Sequence, residues 1–157
     1  MRLQNTILVG VTGAGKTKIA KELVKHGYIL YDTDKIFEAA YKTNIVEFFK
    51  RYGENEFRYC EREVIDSLKK TRGAVIVVGG GAALSVHNME NLKKLGKIVH
   101  ITRSAEEPDK RAGQSGDCVK ADKEICKGLY CEWADEIIDS DNLTPQEIAE
   151  LIIRSTT

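Results

Sequence analysis

Short apolar runs alternate along the chain with longer segments in which apolar positions recur at helical spacing. The runs are about four residues long, are rich in Val and Ile, and several end at Gly or Asp. Runs of this kind are typical of strands buried on both faces of a parallel sheet. The predicted strands cover residues 6–9, 28–31, 75–78, 98–101 and 136–138.

The segments between these runs predict helices. Asn44 and Thr144 are residues that favour a helix start, and Asp34 is placed to cap a helix beginning at Lys35. The predicted helices cover 16–25, 55–70, 88–95, 105–111, 120–130 and 145–154, with further starts at 35 and 44. This alternation predicts a three-layer α/β/α arrangement around a five-stranded parallel sheet, in a single domain over 1–157.

The charge balance argues against nucleic acid and anionic membranes as partners. Lys plus Arg and Asp plus Glu both number 24, so the formal net charge is zero. Such a chain has no overall field to attract nucleic acid or an anionic membrane. No apolar run approaches the roughly 18 residues that a membrane helix needs. We therefore expect no nucleic-acid or membrane partner, a cytoplasmic location and a monomer. The four cysteines lack the spacing of a metal site and are expected to be free thiols.

Three unusual segments follow predicted strands. They are Gly10 to Thr17, Asp32 to Asp34, and Gly79 to Gly81. In parallel sheets flanked by helices, ligands bind beyond the carboxyl ends of the strands. We therefore expect these segments to meet at one edge of the sheet.

The first segment has the spacing Gly-x-x-x-x-Gly-Lys-Thr between a predicted strand and a predicted helix. Backbone N–H groups of Gly13, Ala14 and Gly15 are expected to point at phosphate oxygens. Lys16 is expected to reach the β- and γ-phosphates, and Thr17 to offer its hydroxyl to Mg²⁺. This segment predicts binding of ATP with Mg²⁺, whereas the alternative is a glycine-rich turn that binds nothing.

Asp32 and Asp34 offer two carboxylates beside the phosphate loop. We expect Asp32 to belong to the Mg²⁺ site and Asp34 to orient, or take a proton from, a substrate hydroxyl. The alternative is ordinary turn and capping chemistry, for which Asp-Thr-Asp is well suited.

These motifs, with others further along the chain, resemble the shikimate kinase family, within the nucleoside monophosphate kinase-like phosphate-loop proteins. The matching segments are Gly10 to Thr17, Tyr31-Asp32-Thr33-Asp34, Gly53-Glu54-Asn55-Glu56-Phe57-Arg58 followed by Glu61, Val78-Gly79-Gly80-Gly81, and Leu129-Tyr130 with Ala134-Asp135. The resemblance covers nearly the whole chain. It implies a P-loop kinase fold, with a substrate-binding region at about 31–60 and a short lid at about 112–124.

The resemblance also implies roles. Asp34 would hold the acceptor hydroxyl, and Arg58 would pair with the carboxylate of shikimate as a planar bidentate donor. The glycines at 79–81 would let the acceptor ring approach the backbone, and Arg111 would lie against adenine. Lys16, Asp34 and Arg58 are thus the predicted catalytic residues. The alternative for Arg58 is a surface ion pair with Glu54 or Glu61 on its own helix.

Two segments depart from the family pattern. The lid segment, Ala112 to Cys118, has no arginine, and Cys126 stands where the family has an arginine that grips the substrate carboxylate, with Lys127 beside it. Two alternatives therefore accompany the shikimate kinase hypothesis. One is a kinase of another small hydroxy acid, and the other is a nucleotide-binding relative without catalytic activity.

Overall fold

The computed structural model describes residues 4–10, 14–79, 81–104 and 123–156. Within these residues five strands form one parallel sheet in the order β2-β3-β1-β4-β5. The strands are β1 (Thr6–Val9), β2 (Ile29–Asp32), β3 (Ala74–Val77), β4 (Lys97–Thr102) and β5 (Glu136–Asp139). The helices are α1 (Lys16–Val24), α2 (Thr33–Tyr41), α3 (Ile45–Asp66), α4 (Val86–Leu95), α5 (Lys123–Trp133) and α6 (Pro145–Thr156), with a 3₁₀ turn at Ala82–Leu84.

Helices cover both faces of the sheet, which confirms the predicted three-layer architecture. Alternate strand residues point to opposite faces, so Ile7 and Ile76 join one buried cluster while Leu8 and Val77 join the other. The first cluster packs against α3, α4 and α5, and the second packs against α1 and α6. Burial on both faces explains why the strands appear in the sequence as unbroken apolar runs.

The pair α2 and α3 encloses a separate cluster beside the sheet. Phe37 packs against Phe48 and Phe57 with ring centroids 5.0 and 5.2 Å apart, and Cys60 and Val64 complete the contact. This packing fixes α3 next to the carboxyl end of β3, where the candidate site lies.

The start of α2 differs from the prediction. We expected Asp34 to cap a helix from Lys35, but α2 begins at Thr33 and its cap is Asp32, which accepts hydrogen bonds from the N–H groups of Asp34 (3.0 Å) and Lys35 (3.3 Å). The strand runs directly into the helix without an intervening turn. Asp34 therefore lies in the first helical turn, with its side chain available to the site.

Helix α3 joins two predicted helices across a kink. Asn44 caps its start by accepting from the N–H of Glu47 at 2.8 Å, as the sequence predicted. Gly53 interrupts the helix with φ 86° and ψ 176°, a backbone conformation that only glycine adopts readily. The kink separates 45–52 from 54–66 and redirects the second part, which carries Arg58.

The last helix begins as predicted, with reciprocal hydrogen bonds of 3.1 Å between Thr144 and Glu147. The predicted helix at 105–111 lies outside the described residues, as does most of the segment at 112–124. Among the helices that the structure describes, none is both long and apolar enough to cross a membrane.

Candidate active site

The ammonium group of Lys16 lies between the carboxyl ends of two neighbouring strands. Its Nζ donates to the carbonyl oxygens of Gly10 at 2.6 Å and Val78 at 2.9 Å, and the side chain is only 8% exposed. Gly10 itself allows β1 to end close to β4, because a methyl group added there would lie 2.7 Å from the carbonyl oxygen of Ile101. A positive charge is thus fixed at the edge where the predicted segments meet.

The N-terminus of α1 lies beside this charge and has no side-chain cap within the described residues. Gly15 precedes the helix with φ 88°. The first turn contains no acidic residue. Uncapped N–H groups and the positive end of the helix dipole favour an anion there. Ala14, Gly15, Lys16 and Thr17 therefore lie where a phosphate group would be held.

Thr17 and Asp32 offer the oxygen atoms that Mg²⁺ prefers. Thr17 lies in the first turn of α1, and Asp32 ends the strand β2 on the same edge of the sheet. One carboxylate oxygen of Asp32 accepts the two capping hydrogen bonds of α2, and the other takes no part in them. The capping alternative for Asp32 is thus realised, and it leaves one oxygen of the carboxylate for a metal ion. This donor set fits Mg²⁺.

Asp34 lies directly against the end of β3. A methyl group added to Gly79 would lie 2.7 Å from Oδ1 of Asp34, so a side chain at this position would push the carboxylate aside. The N–H of Gly79 donates to Oγ1 of Thr33 at 3.1 Å, which ties the start of α2 to the end of β3. Thr33 has no role in the sequence-based prediction, yet its hydroxyl fixes the position of the neighbouring carboxylate.

Arg58 lies against Gly81, two residues further along the same segment. A methyl group added to Gly81 would lie 2.6 Å from both terminal nitrogens of Arg58. Its Nη1 donates to Oε1 of Glu61 at 3.1 Å, so the ion pair considered as an alternative does form. Nε of Arg58 is buried and meets no acceptor among the described residues. A buried donor without an acceptor is costly, and a bound carboxylate would supply one.

Glu61 is a buried carboxyl at the floor of this arrangement, 7% exposed. Burial raises its pKa from the ordinary value of 4.5 to about 7. The charge of Arg58 and its hydrogen bond lower the pKa, and the charge of Asp34 raises it further. Burial is the largest of these effects, so this carboxyl exchanges a proton near neutral pH.

Several predicted site residues lie outside the described part of the chain: Gly13, Gly80 and Arg111. The described residues bring together Lys16, Asp34 and Arg58 around the ends of β1 and β3, together with Gly79 and Gly81. No site role was predicted for Thr33 or Tyr130, and Glu61 was considered only as an ion-pair partner of Arg58. The signal for all three was their place in the matching motifs.

Comparison with known proteins gives a consistent result. A family model described as shikimate kinase matches residues 12–157. A shikimate kinase from Coxiella burnetii is 33% identical, over 96% of this chain and 92% of its own length. A shikimate kinase from Thermodesulfovibrio yellowstonii is 35% identical, over 97% of this chain and 94% of its own length.

Similarity extends to solved structures. The shikimate kinase from Acinetobacter baumannii in complex with shikimate superimposes with a TM-score of 0.81 and 26% identity, covering 98% of this chain and 92% of that one. The sheet, the flanking helices and nearly the full length are therefore shared.

Proposed function

The chain belongs to the shikimate kinase family, and on this premise we propose that the protein transfers the γ-phosphoryl group of ATP to the 3-hydroxyl of shikimate. The family confirms the predicted class of an ATP- and Mg²⁺-dependent kinase. It leaves the alternative of a binding-only relative without support. The roles of the individual residues belong to the same proposal.

The nucleotide half of the proposed site is built on α1. The backbone at Ala14 and Gly15 and the first-turn N–H groups hold the phosphates, and Lys16 neutralises charge that develops on the transferring group. Thr17 and Asp32 hold Mg²⁺, which supplies charge neutralisation across the phosphates. The resemblance also gives Gly13 to the phosphate contacts and Arg111 to adenine.

The acceptor half is built around the end of β3. Asp34 accepts a hydrogen bond from the reacting hydroxyl and orients its oxygen towards the γ-phosphorus. Arg58 pairs with the substrate carboxylate through two parallel hydrogen bonds. The glycines at 79–81 keep space for the ring between these two groups. The hydroxyl oxygen forms the new bond to the γ-phosphorus and its proton passes to the carboxylate of Asp34, while the bond from the γ-phosphorus to the oxygen that bridges to the β-phosphate breaks and ADP leaves.

One observation supports the proposal: Asp34 and Arg58, from different helices, approach positions 79 and 81 so closely that a side chain at either position would displace the functional group beside it. The segment near Lys16 thus brings together Asp34, which accepts a hydrogen bond from a hydroxyl group, and Arg58, which donates hydrogen bonds to a carboxylate. This matches a small molecule that carries a hydroxyl at one end and a carboxylate at the other.

The test is a coupled ADP-release assay with ATP, Mg²⁺ and shikimate. Asp34→Asn should lower kcat by about 100-fold or more, the usual scale for losing a positioned acid-base group. Arg58→Lys keeps the charge but loses the bidentate geometry, so the KM for shikimate should rise by about 10-fold or more while the KM for ATP stays unchanged.

Arg62→Lys is the matched control, because Arg62 lies one turn further along α3 and is exposed. It should behave as wild type. ATP binding without shikimate-dependent ADP release by the wild-type protein would refute the proposed acceptor. An Arg62 variant as defective as the Arg58 variant would refute the role of Arg58.

A second candidate acceptor is another small hydroxy acid. Cys126 is a residue of α5 and is buried in the core at 1% exposure, so its position contributes no cation to the acceptor half. A panel of hydroxy acids and polyols separates the two candidates. Turnover of shikimate far above every other acceptor would exclude the second, whereas a preferred acceptor other than shikimate would establish it.

The proposal includes a monomer that acts in the cytoplasm without nucleic acid or membrane. It is supported by the formal net charge of zero, which gives no overall field to attract nucleic acid or an anionic membrane. Size-exclusion chromatography with light scattering at working concentration tests this part. A stable dimer would contradict it without affecting the proposed chemistry.

A further inference from the structure

The hydroxyl of Tyr130 lies next to the acceptor half of the site, and the proposed chemistry does not use it. The residue belongs to α5 and is fully buried. Its Oη donates to the carbonyl oxygen of Gly79 at 3.1 Å. The N–H of Ala83 hydrogen bonds to the same phenol oxygen. One hydroxyl therefore connects Gly79 with Ala83, and we call Gly79 together with residues 81–83 the acceptor turn.

The acceptor turn carries both close approaches on which the site depends. Asp34 lies against Gly79 near one end, and Arg58 lies against Gly81 in the middle. A methyl group at either glycine would lie 2.6 to 2.7 Å from the functional group beside it, so the position of the turn bears directly on the positions of both side chains. Whatever fixes the turn therefore fixes the distance between the two functional groups.

The hydroxyl of Tyr130 is suited to hold the acceptor turn at any working pH. Burial, with the charges of Cys126 and Glu61, raises the pKa of its hydroxyl, although the Ala83 hydrogen bond and the charge of Arg58 oppose the rise. The hydroxyl therefore keeps its proton and remains a donor to Gly79. The ring is held by packing in the core and lies 5.6 Å from the ring of His100, so the hydroxyl cannot move away easily.

We propose that Tyr130 is a positioning residue whose hydroxyl holds the acceptor turn in the geometry that lets Asp34 and Arg58 act on one bound molecule. It touches neither the nucleotide nor the acceptor. The inference rests on the proposed function, because it requires an acceptor bound at this turn. It also assigns the Leu129-Tyr130 motif a role in the site in addition to packing in the core.

The test replaces Tyr130 by Phe, which keeps the ring and removes only the bridging hydroxyl. The KM for the acceptor should rise about 10-fold, the scale of one buried hydrogen bond, while the KM for ATP stays within about twofold. Tyr28→Phe is the matched control. Tyr28 is also a buried tyrosine, but its hydroxyl has no hydrogen-bond partner among the described residues and lies in the opposite core cluster.

Thermal unfolding of both variants is measured beside the kinetics, and rates are taken well below each Tm. An unchanged KM for ATP shows that the Tyr130 variant is folded. The inference is overturned if the acceptor KM of the Tyr130 variant equals that of wild type. It is equally overturned if both KM values rise together, or if the Tyr28 variant shows the same change.

Failure of the proposed function has a different signature. It appears in the wild-type protein, as absence of turnover with shikimate. The comparison of Tyr130→Phe with Tyr28→Phe is then made with the hydroxy acid that the panel identifies. A selective rise of that acceptor's KM in the Tyr130 variant supports the positioning role, and no rise overturns it.

Discussion

Replacing Glu61 by Gln should remove the effect of pH on stability that this carboxyl causes. In the folded protein burial raises the pKa of Glu61 from 4.5 to about 7, whereas in the unfolded chain the carboxyl titrates at its ordinary value. Between these two pH values the folded protein keeps a proton that the unfolded chain has lost. The carboxyl's contribution to the free energy of unfolding is therefore present at low pH and is lost as the pH rises through about 7.

The size of the effect follows from the shift. A rise from 4.5 to about 7 corresponds to about 3 kcal/mol of unfolding free energy. Glutamine has the same shape, keeps an oxygen that can accept from Arg58, and carries no charge at any pH. The Glu61→Gln variant should thus gain stability relative to wild type by about 2 to 3 kcal/mol between roughly pH 5 and pH 8.

Urea unfolding at half-unit pH steps, followed by the fluorescence of Trp133, measures this difference. Glu63→Gln is the matched control, because Glu63 is exposed on the same helix. The difference in free energy of unfolding between this control variant and wild type should not change with pH. If wild-type protein gains stability relative to the Glu61 variant as the pH rises, the ion pair with Arg58 outweighs burial and the reasoning is wrong.

The remaining predictions concern other parts of the site. Asp32→Asn should leave the thermal stability unchanged but raise the Mg²⁺ concentration needed for half-maximal turnover, since Asn caps helices as well as Asp, whereas Asp32→Ala should also cost about 1 kcal/mol in urea unfolding. Gly53→Ala should cost about 1 to 3 kcal/mol by backbone strain alone, because its Cβ would meet nothing within 4 Å; an undiminished free energy of unfolding would contradict this. Lys16→Met should lower kcat by roughly 1000-fold in the ADP-release assay, and a smaller effect than that of Lys18→Met would exclude its role. Binding of a carboxylate beside Arg58 should take up protons near pH 7 through Glu61, which calorimetry in buffers of different protonation enthalpy detects.

Much of the fold could be predicted because the signals are local. Unbroken apolar runs marked the strands, and the spacing from Gly10 to Thr17 identified the phosphate loop without reference to any distant residue. The α6 start was evident from Thr144 and Glu147, whose side chains satisfy each other's backbone N–H groups. Each of these features depends on residues within a few positions of one another.

The details that escaped prediction depend on contacts between distant residues. Whether Asp32 or Asp34 would cap α2 depended on how far β2 extends, and that extent is set by pairing with β3. The raised pKa of Glu61 arises from burial between elements that the sequence does not show as neighbours. The hydrogen bond from Tyr130 to Gly79 spans 51 positions of the chain, so no local sequence pattern predicts it.

The two halves of the site therefore respond differently to change in the sequence. Most of the nucleotide half, from Gly13 to Thr17, is contiguous, so these residues can be recognised wherever a strand, loop and helix follow one another, whereas Asp32 and Arg111 stand further along the chain. The acceptor half is assembled by packing, because α2, α3 and α5 each bring one side chain to the acceptor turn. Substitutions in the core under α5, such as the one that leaves Cys126 buried beside Tyr130, can thus alter which acceptor fits without touching the phosphate loop. Acceptor specificity in this chain should follow core residues of α5 as closely as it follows Asp34 and Arg58.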